Sequence, residues 1–307
     1  MDAAGGAPQR VAGGGRPDAP FPVLFSPPSW SADGSSIAFA GNAGTDSKPG
    51  AIYLVNADGT GLRKVPGTSG GFNPTLSPDG RSLAFSRARV RSRRLPNGAE
   101  KILYRSYSVW LHDLSTGAAR QLTPWRNGNR DYPSSFSPDG STLAISRERQ
   151  RGKSIAFSNL SAVAVRVDGS GTALLARNAT EPVYSPDGTR LALIVAGRRR
   201  TVNSGGTTVR YTETELAVAG ADGSQLTKLT KTPAVELQPS WDPSGHRLAY
   251  THLPIFPVDT LFEGGNSIMQ INADGTCRTR VLSSPRAFVY GAVWQPGLGR
   301  GAGPISC

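Results

Sequence analysis

The sequence has no run of 18 apolar residues, so no stretch of it reads as a membrane-spanning helix. Its first 20 residues, MDAAGGAPQRVAGGGRPDAP, lack the apolar centre of an export signal, and 1–21 reads as a flexible lead-in. Either the protein stays inside the cell or the chain begins after a removed signal. Cysteine is scarce: there are two, Cys277 and the final residue Cys307. CxxC spacing is absent, which leaves a redox motif or a zinc ribbon without support. The last residue of a chain is an odd place for a buried thiol, and a bridge back to Cys277 would explain it; two free thiols are the alternative. A bridge would imply an exported protein, so a periplasmic or extracellular setting is expected, with the cytoplasm as the alternative.

Histidine is scarce too, with His112, His246 and His252 only. His246 and His252 could approach each other across a hairpin, but no third ligand or carboxylate is evident in the sequence. Zinc and a Ser-His-Asp triad are therefore not expected, and no metal or other cofactor is called for. G-x-S-x-G occurs at Gly67–Gly71. A nucleophile elbow needs a strand before it and a helix after it; this stretch has the look of a loop. The best residues for an enzyme are Asp242 and His246 beside one turn, and no catalytic set is assigned.

Turn formers are abundant, with Gly 37 and Pro 24 among 307 residues. They punctuate a repeat. SPDG stands at Ser77–Gly80, Ser137–Gly140 and Ser185–Gly188, with the variants SADG at Ser31 and DPSG at Asp242. Two residues after each comes an apolar triplet: IAF, LAF, LAI, LAL or LAY, starting at Ile37, Leu83, Leu143, Leu191 and Leu248. A bulky residue precedes each turn: Trp30, Leu76, Phe136, Tyr184 and Trp241, with Trp294 as a sixth, degenerate start. A second turn follows in each unit, ending at Gly59, Gly117, Gly169, Gly223 and Gly275, after runs such as IYLV at Ile52.

The chemistry of the turn is local. Proline presets φ, aspartate bonds its own backbone, and glycine accepts positive φ at the exit. In the triplet, Leu83 and Phe85 point to one face and Ala84 to the other; both faces are apolar, so both are expected to be buried. Each unit then reads as a four-stranded antiparallel meander, and stacked meanders of this period make a β-propeller. We expect an all-β chain, 22–307, forming one propeller of six blades, the sixth closed by both termini, with five blades as the alternative. QRVA, Gln9–Ala12, resembles a fourth strand for that closing blade.

The repeat P-x-W-S-x-D-G-x-x-I-A-F followed by I-Y-x-x-N-A-D-G resembles the TolB-type, WD-repeat-like β-propeller family over roughly residues 26–297. The resemblance implies a propeller that acts as a binding scaffold in the bacterial envelope. The same repeat also serves as the propeller of prolyl-oligopeptidase-like enzymes. On this sequence neither the N-terminal α/β domain of that family nor a hydrolase domain is expected.

The net charge of +12 is unevenly placed. Three connections between second and third strands, 87–105, 147–153 and 198–210, carry +6, +3 and +4. The scaffold outside them is close to neutral. In an up-and-down blade all three connections lie at the same end of the ring, beside the links between blades, while the SPDG and DG turns lie at the other. The candidate binding residues on that end are Arg87, Arg89, Arg91, Arg93, Arg94, Arg149, Arg151, Arg198, Arg199 and Arg200. Trp125 and Arg126 of an inter-blade link join them. An arginine-rich composition with no binding role is the plain alternative. The expected function is a non-catalytic, monomeric scaffold that binds a protein or an anionic envelope polymer. Nucleic acid ranks low, since no aromatic-basic reader motif is present. The rival is a propeller hydrolase, lyase or sugar binder with its site in the central channel.

Overall fold

The computed structural model describes residues 21–22, 26–42, 50–149, 159–204, 207–254, 266–283, 291–295 and 303–307. They are built from strands, with no α-helix among them. Blade one sets β1 (Phe21–Pro22) and β2 (Ser29–Trp30) along one edge of β3 (Ser36–Asn42), followed by β4 (Ala51–Asn56) and β5 (Arg63–Lys64). Blade two is β6 (Gly71–Leu76), β7 (Ser82–Arg94), β8 (Glu100–Asp113) and β9 (Ala119–Gln121). Blade three is β10 (Asn129–Phe136), β11 (Thr142–Arg149), β12 (Leu160–Arg166) and β13 (Thr172–Arg177). Blade four is β14 (Ala179–Tyr184), β15 (Arg190–Ser204), β16 (Thr207–Gly220) and β17 (Thr227–Lys228). Blade five is β18 (Ala234–Trp241), β19 (Arg247–Pro254), β20 (Ser267–Asn272) and β21 (Thr279–Ser283). Pairing within every blade is antiparallel, and a single parallel bridge, Arg130 to Tyr107, joins blade three to blade two.

The turns form as their chemistry dictates. Ser77 Oγ donates to Asp79 Oδ1 at 2.5 Å, and Asp79 Oδ1 accepts the Arg81 N–H at 3.0 Å. Ser77 Oγ in turn accepts the Ser82 N–H at 2.9 Å, and Gly80 exits with φ of 68°. Ser137 and Ser185 make the same set of bonds.

The triplets stack one blade on the next. Leu83 and Phe85 pack with Ala38 and Ala40 of blade one, while Ala84 packs with Leu143 and Ile145 of blade three. Ala144 then meets Leu191 and Leu193, and Ala192 meets Leu248 and Tyr250. A small residue on one face thus receives two large ones from the following blade, which lets twisted sheets approach closely. Ile37 and Phe39 of blade one form their own cluster with Val55, Trp30 and Tyr53.

Hydroxyls lace the innermost strands together. Ser29, Ser135 and Ser240 accept the backbone N–H of Leu76, Tyr184 and Trp294 of the following unit, at 3.0, 2.9 and 3.2 Å. Arg190 stacks on Trp241, and Arg247 stacks likewise on Trp294. Trp294 therefore sits on blade five as Trp241 sits on blade four. Gln295 Nε2 then donates to the Gly34 carbonyl of blade one at 2.9 Å, so this segment reaches across from the fifth blade to the first. The rest of the expected sixth blade, with Gln9–Ala12, lies outside the described residues.

The tail is anchored. Cys277 and Cys307 are joined in a disulfide with Cα atoms 5.1 Å apart. Asn272 clamps Ile305, its Nδ2 donating to the Ile305 carbonyl at 2.9 Å and its Oδ1 accepting the Ile305 N–H at 2.7 Å.

Candidate functional site

The basic connections of blades two and four are paired hairpins that continue the second and third strands. Strands β7 and β8 stay paired out to Arg94 and Glu100, and β15 and β16 out to Ser204 and Thr207. Their inner-strand neighbours stop much earlier: β6 pairs β7 only up to Gly71 and Arg87, and β14 pairs β15 only up to Ala179 and Val195. Both hairpins therefore run on past the blade edge, away from the SPDG turns.

Arg89, Arg91, Arg93 and Arg94 are exposed on the first hairpin, with Val90 and Leu103 beside them, and Arg198, Arg199 and Arg200 are exposed on the second. Arg126 is exposed and Trp125 half-buried in the link before blade three, and Arg149 is exposed at the end of β11. Arg151 lies outside the described residues.

Two of these arginines serve the scaffold. Arg87 lies over the rings of Phe85 and Trp110, at 5.2 and 4.5 Å to the ring centres, and its Nη2 donates to the Gly67 carbonyl. Burial lowers its pKa. Arg200 donates through Nε to the buried Glu213 at 2.6 Å. Arg147, counted in the connection 147–153 of blade three, is taken up by Asp131 in a two-pronged pair at 2.7 and 2.8 Å. Part of the charge read from sequence is thus neutralised at the hairpin roots. A cleft of about 410 Å³ at the root of the second hairpin gathers Arg198, Arg200, Lys228 and Lys231 around Glu213 and Glu215. The Lys228 ammonium donates to the Ala196 carbonyl at 2.8 Å.

The histidines depart from expectation. His246 precedes β19 and His252 lies near its far end, so a strand length separates them. His252 does have a carboxylate partner, one that sequence spacing did not show. Its Nδ1 lies 3.1 Å from both oxygens of the fully buried Glu236. Arg278 completes that cluster, with Nη2 3.1 Å from His252 Nδ1 and Nε donating to the Tyr250 hydroxyl at 2.6 Å. The pair proposed as the best enzyme candidate has turn chemistry: Asp242 is buried and accepts from Ser244 and Arg247. His112 is buried in the core, and desolvation lowers its pKa. Gly67–Gly71 is a turn leading into β6, with no helix after it.

A cavity of about 570 Å³ occupies the centre of the ring, walled by the innermost strands. Four blades bulge there, blade three at Pro133–Ser135. Asn73, Glu181 and Gln238, each three residues before its bulky marker, hold φ of 51°, 52° and 55°. Ladder register shifts at each bulge. Among the described residues, no group of three His, Cys, Asp or Glu side chains is placed to hold a metal ion.

The repeats and this ring have known counterparts. A putative TolB from Agrobacterium tumefaciens superimposes with a TM-score of 0.60, at 19% identity, over 90% of this chain and 87% of that one. TolB from Acinetobacter baumannii gives 0.60 at 20% identity, over 88% of this chain and 56% of that one. The fold is that of a TolB-type β-propeller. In sequence, 65 residues are 43% identical to the Tol-Pal system protein TolB of Anaeromyxobacter dehalogenans, covering 21% of this chain and 12% of that protein. No family model matches the chain. An oligogalacturonate lyase solved with manganese shares the fold too, with a TM-score of 0.53 at 16% identity over 84% of this chain and 64% of that one. The same fold is thus shared by TolB structures and by a lyase, and fold alone does not assign a role.

Proposed function

We propose that this protein is a non-catalytic propeller scaffold of the cell envelope, binding a polyanionic partner, an acidic protein segment or an envelope polymer, through its hairpin face. The observation that carries the reading is the placement of charge. Two basic hairpins project from the same end of a nearly neutral ring, with exposed arginines along their length. Side chains that project from paired strands are held apart at fixed spacing, which favours a repeating anion over a single small one. The likeness to TolB structures and the Cys277–Cys307 disulfide both support an envelope setting.

Labelled poly-L-glutamate is the test ligand. The variant replaces Arg89, Arg93, Arg94, Arg198 and Arg199 with Ser and keeps Arg87 and Arg200, which brace the fold. Wild type should bind saturably and lose affinity as salt rises. The variant should keep its melting temperature and bind at least tenfold more weakly. Equal affinity of the two proteins would contradict the proposal.

A further inference from the structure

We propose that the central cavity is a binding site for a small organic ammonium ion, held between the Glu181 carboxylate and the aromatic wall of Phe72, Tyr107 and Tyr132. The volume, about 570 Å³, falls in the range of small-molecule sites. Among the described residues Glu181 is the one acidic or basic side chain on its wall, apart from the weakly acidic tyrosines. The site therefore selects for positive charge.

The carboxylate is fixed and lacks a counter-ion. Its Oε2 accepts the backbone N–H of Gln238 from the next blade, and its own N–H donates to Ser146 Oγ at 2.7 Å. No salt bridge reaches it among the described residues. Loss of water pushes its pKa up to about 7, against the pull of the Gln238 N–H, and no charged neighbour contributes. A glutamate at φ of 52° is an unusual occupant of the left-handed region, which asparagine and glycine enter more readily. The bulge turns this acid onto the channel wall, level with the amides of Asn73 and Gln238.

The aromatic part of the wall suits the organic part of such a cation. Phe72, Tyr107 and Tyr132 pack edge to face, with ring centres 5.1, 5.4 and 6.2 Å apart. Aromatic faces attract cations and cover apolar groups alike; the Tyr107 ring already carries the Arg130 guanidinium, 5.4 Å from its centre and paired with Glu148. Burial, with Glu148 behind it, raises the Tyr132 pKa to well above its ordinary value, so its hydroxyl keeps its proton and adds no charge to the wall. Trp30 and Trp294 line the same cavity. Hard metal ions are held largely by carboxylate oxygens, whereas the described wall offers one carboxylate beside neutral hydroxyls and amides.

The probe is 2-phenylethylammonium chloride, with 2-phenylethanol as its neutral counterpart, followed by calorimetry and tryptophan fluorescence on the full chain. The amine should saturate one site. Affinity should fall about tenfold between pH 8 and pH 6, because Glu181 titrates at about 7 while the amine stays charged. The alcohol should bind at least tenfold more weakly at pH 8, and E181Q should show the same loss for the amine. Equal binding of amine and alcohol, absence of a saturable site, or unchanged affinity in E181Q would overturn the proposal. Displacement of the amine by millimolar calcium chloride would do the same. Should E181Q fail to fold, the pH series and the alcohol comparison on wild type decide alone. The hairpin arginine variant should bind the amine as wild type does, which keeps this site separate from the basic face.

Discussion

Gly223 and Gly80 show that one turn chemistry serves two different needs. Both hold positive φ, 86° and 68°. A Cβ on Gly80 would meet nothing within 4 Å, whereas on Gly223 it would stand 1.9 Å from the Leu175 carbonyl oxygen of blade three. G80A should therefore cost about 1–2 kcal/mol, the left-handed penalty alone. G223A should cost at least about 3 kcal/mol, because two blades must also separate. Urea denaturation of both variants checks the difference; equal losses would contradict it. The turn aspartates make a second expectation. Hydrogen bonds from neighbouring serines hold Asp33, Asp113 and Asp139 at about 2, below the ordinary 3.8. A depressed folded-state value means that their contribution is present above pH 4 and is lost as the pH falls through 2. The urea midpoint should drop over that interval, and less steeply in D139N. A midpoint as steep in D139N as in wild type would remove the turns from the account.

Elements were legible where their determinants are local. SPDG and the triplet after it define a turn and a two-faced buried strand within eleven residues, and Leu83, Ala84 and Phe85 are all fully buried. Contacts between distant elements were not legible. Glu236 meets His252 and Arg278 only because β18, β19 and the connection before β21 come together, and no spacing in the chain announces it. Arg87 read as the start of a binding run, yet its guanidinium is spent on Trp110. Glu181 carried a signal that could have been found: it aligns with Asn73 and Gln238 at the same distance before the marker, and a charged residue there faces the channel. The C-terminal strap is an element of its own kind, tied by Cys307 and by Asn272. Its disulfide closes a loop with a sequence separation of 30. On the chain-entropy account, C307S should lower unfolding free energy by about 3–4 kcal/mol. A reducing agent should lower the wild-type melting temperature by the same shift that C307S shows and leave C307S itself unmoved; a wild type insensitive to reductant would contradict this.

The whole molecule divides its labour by direction. Faces between blades carry the apolar core, the turn end carries the aspartate chemistry, and the opposite end carries the basic hairpins. Among the described residues the centre holds one carboxylate without an ion-pair partner, Glu181. The basic end is the basis of the proposed role, and hydrogen exchange of the protein with and without poly-L-glutamate tests it most directly. Bound polymer should slow exchange in 88–106 and 197–212, the hairpins of blades two and four, and leave the turns at Gly80, Gly140, Gly188 and Gly245 unchanged. Protection of those turns instead, with the hairpins unaffected, would contradict the account.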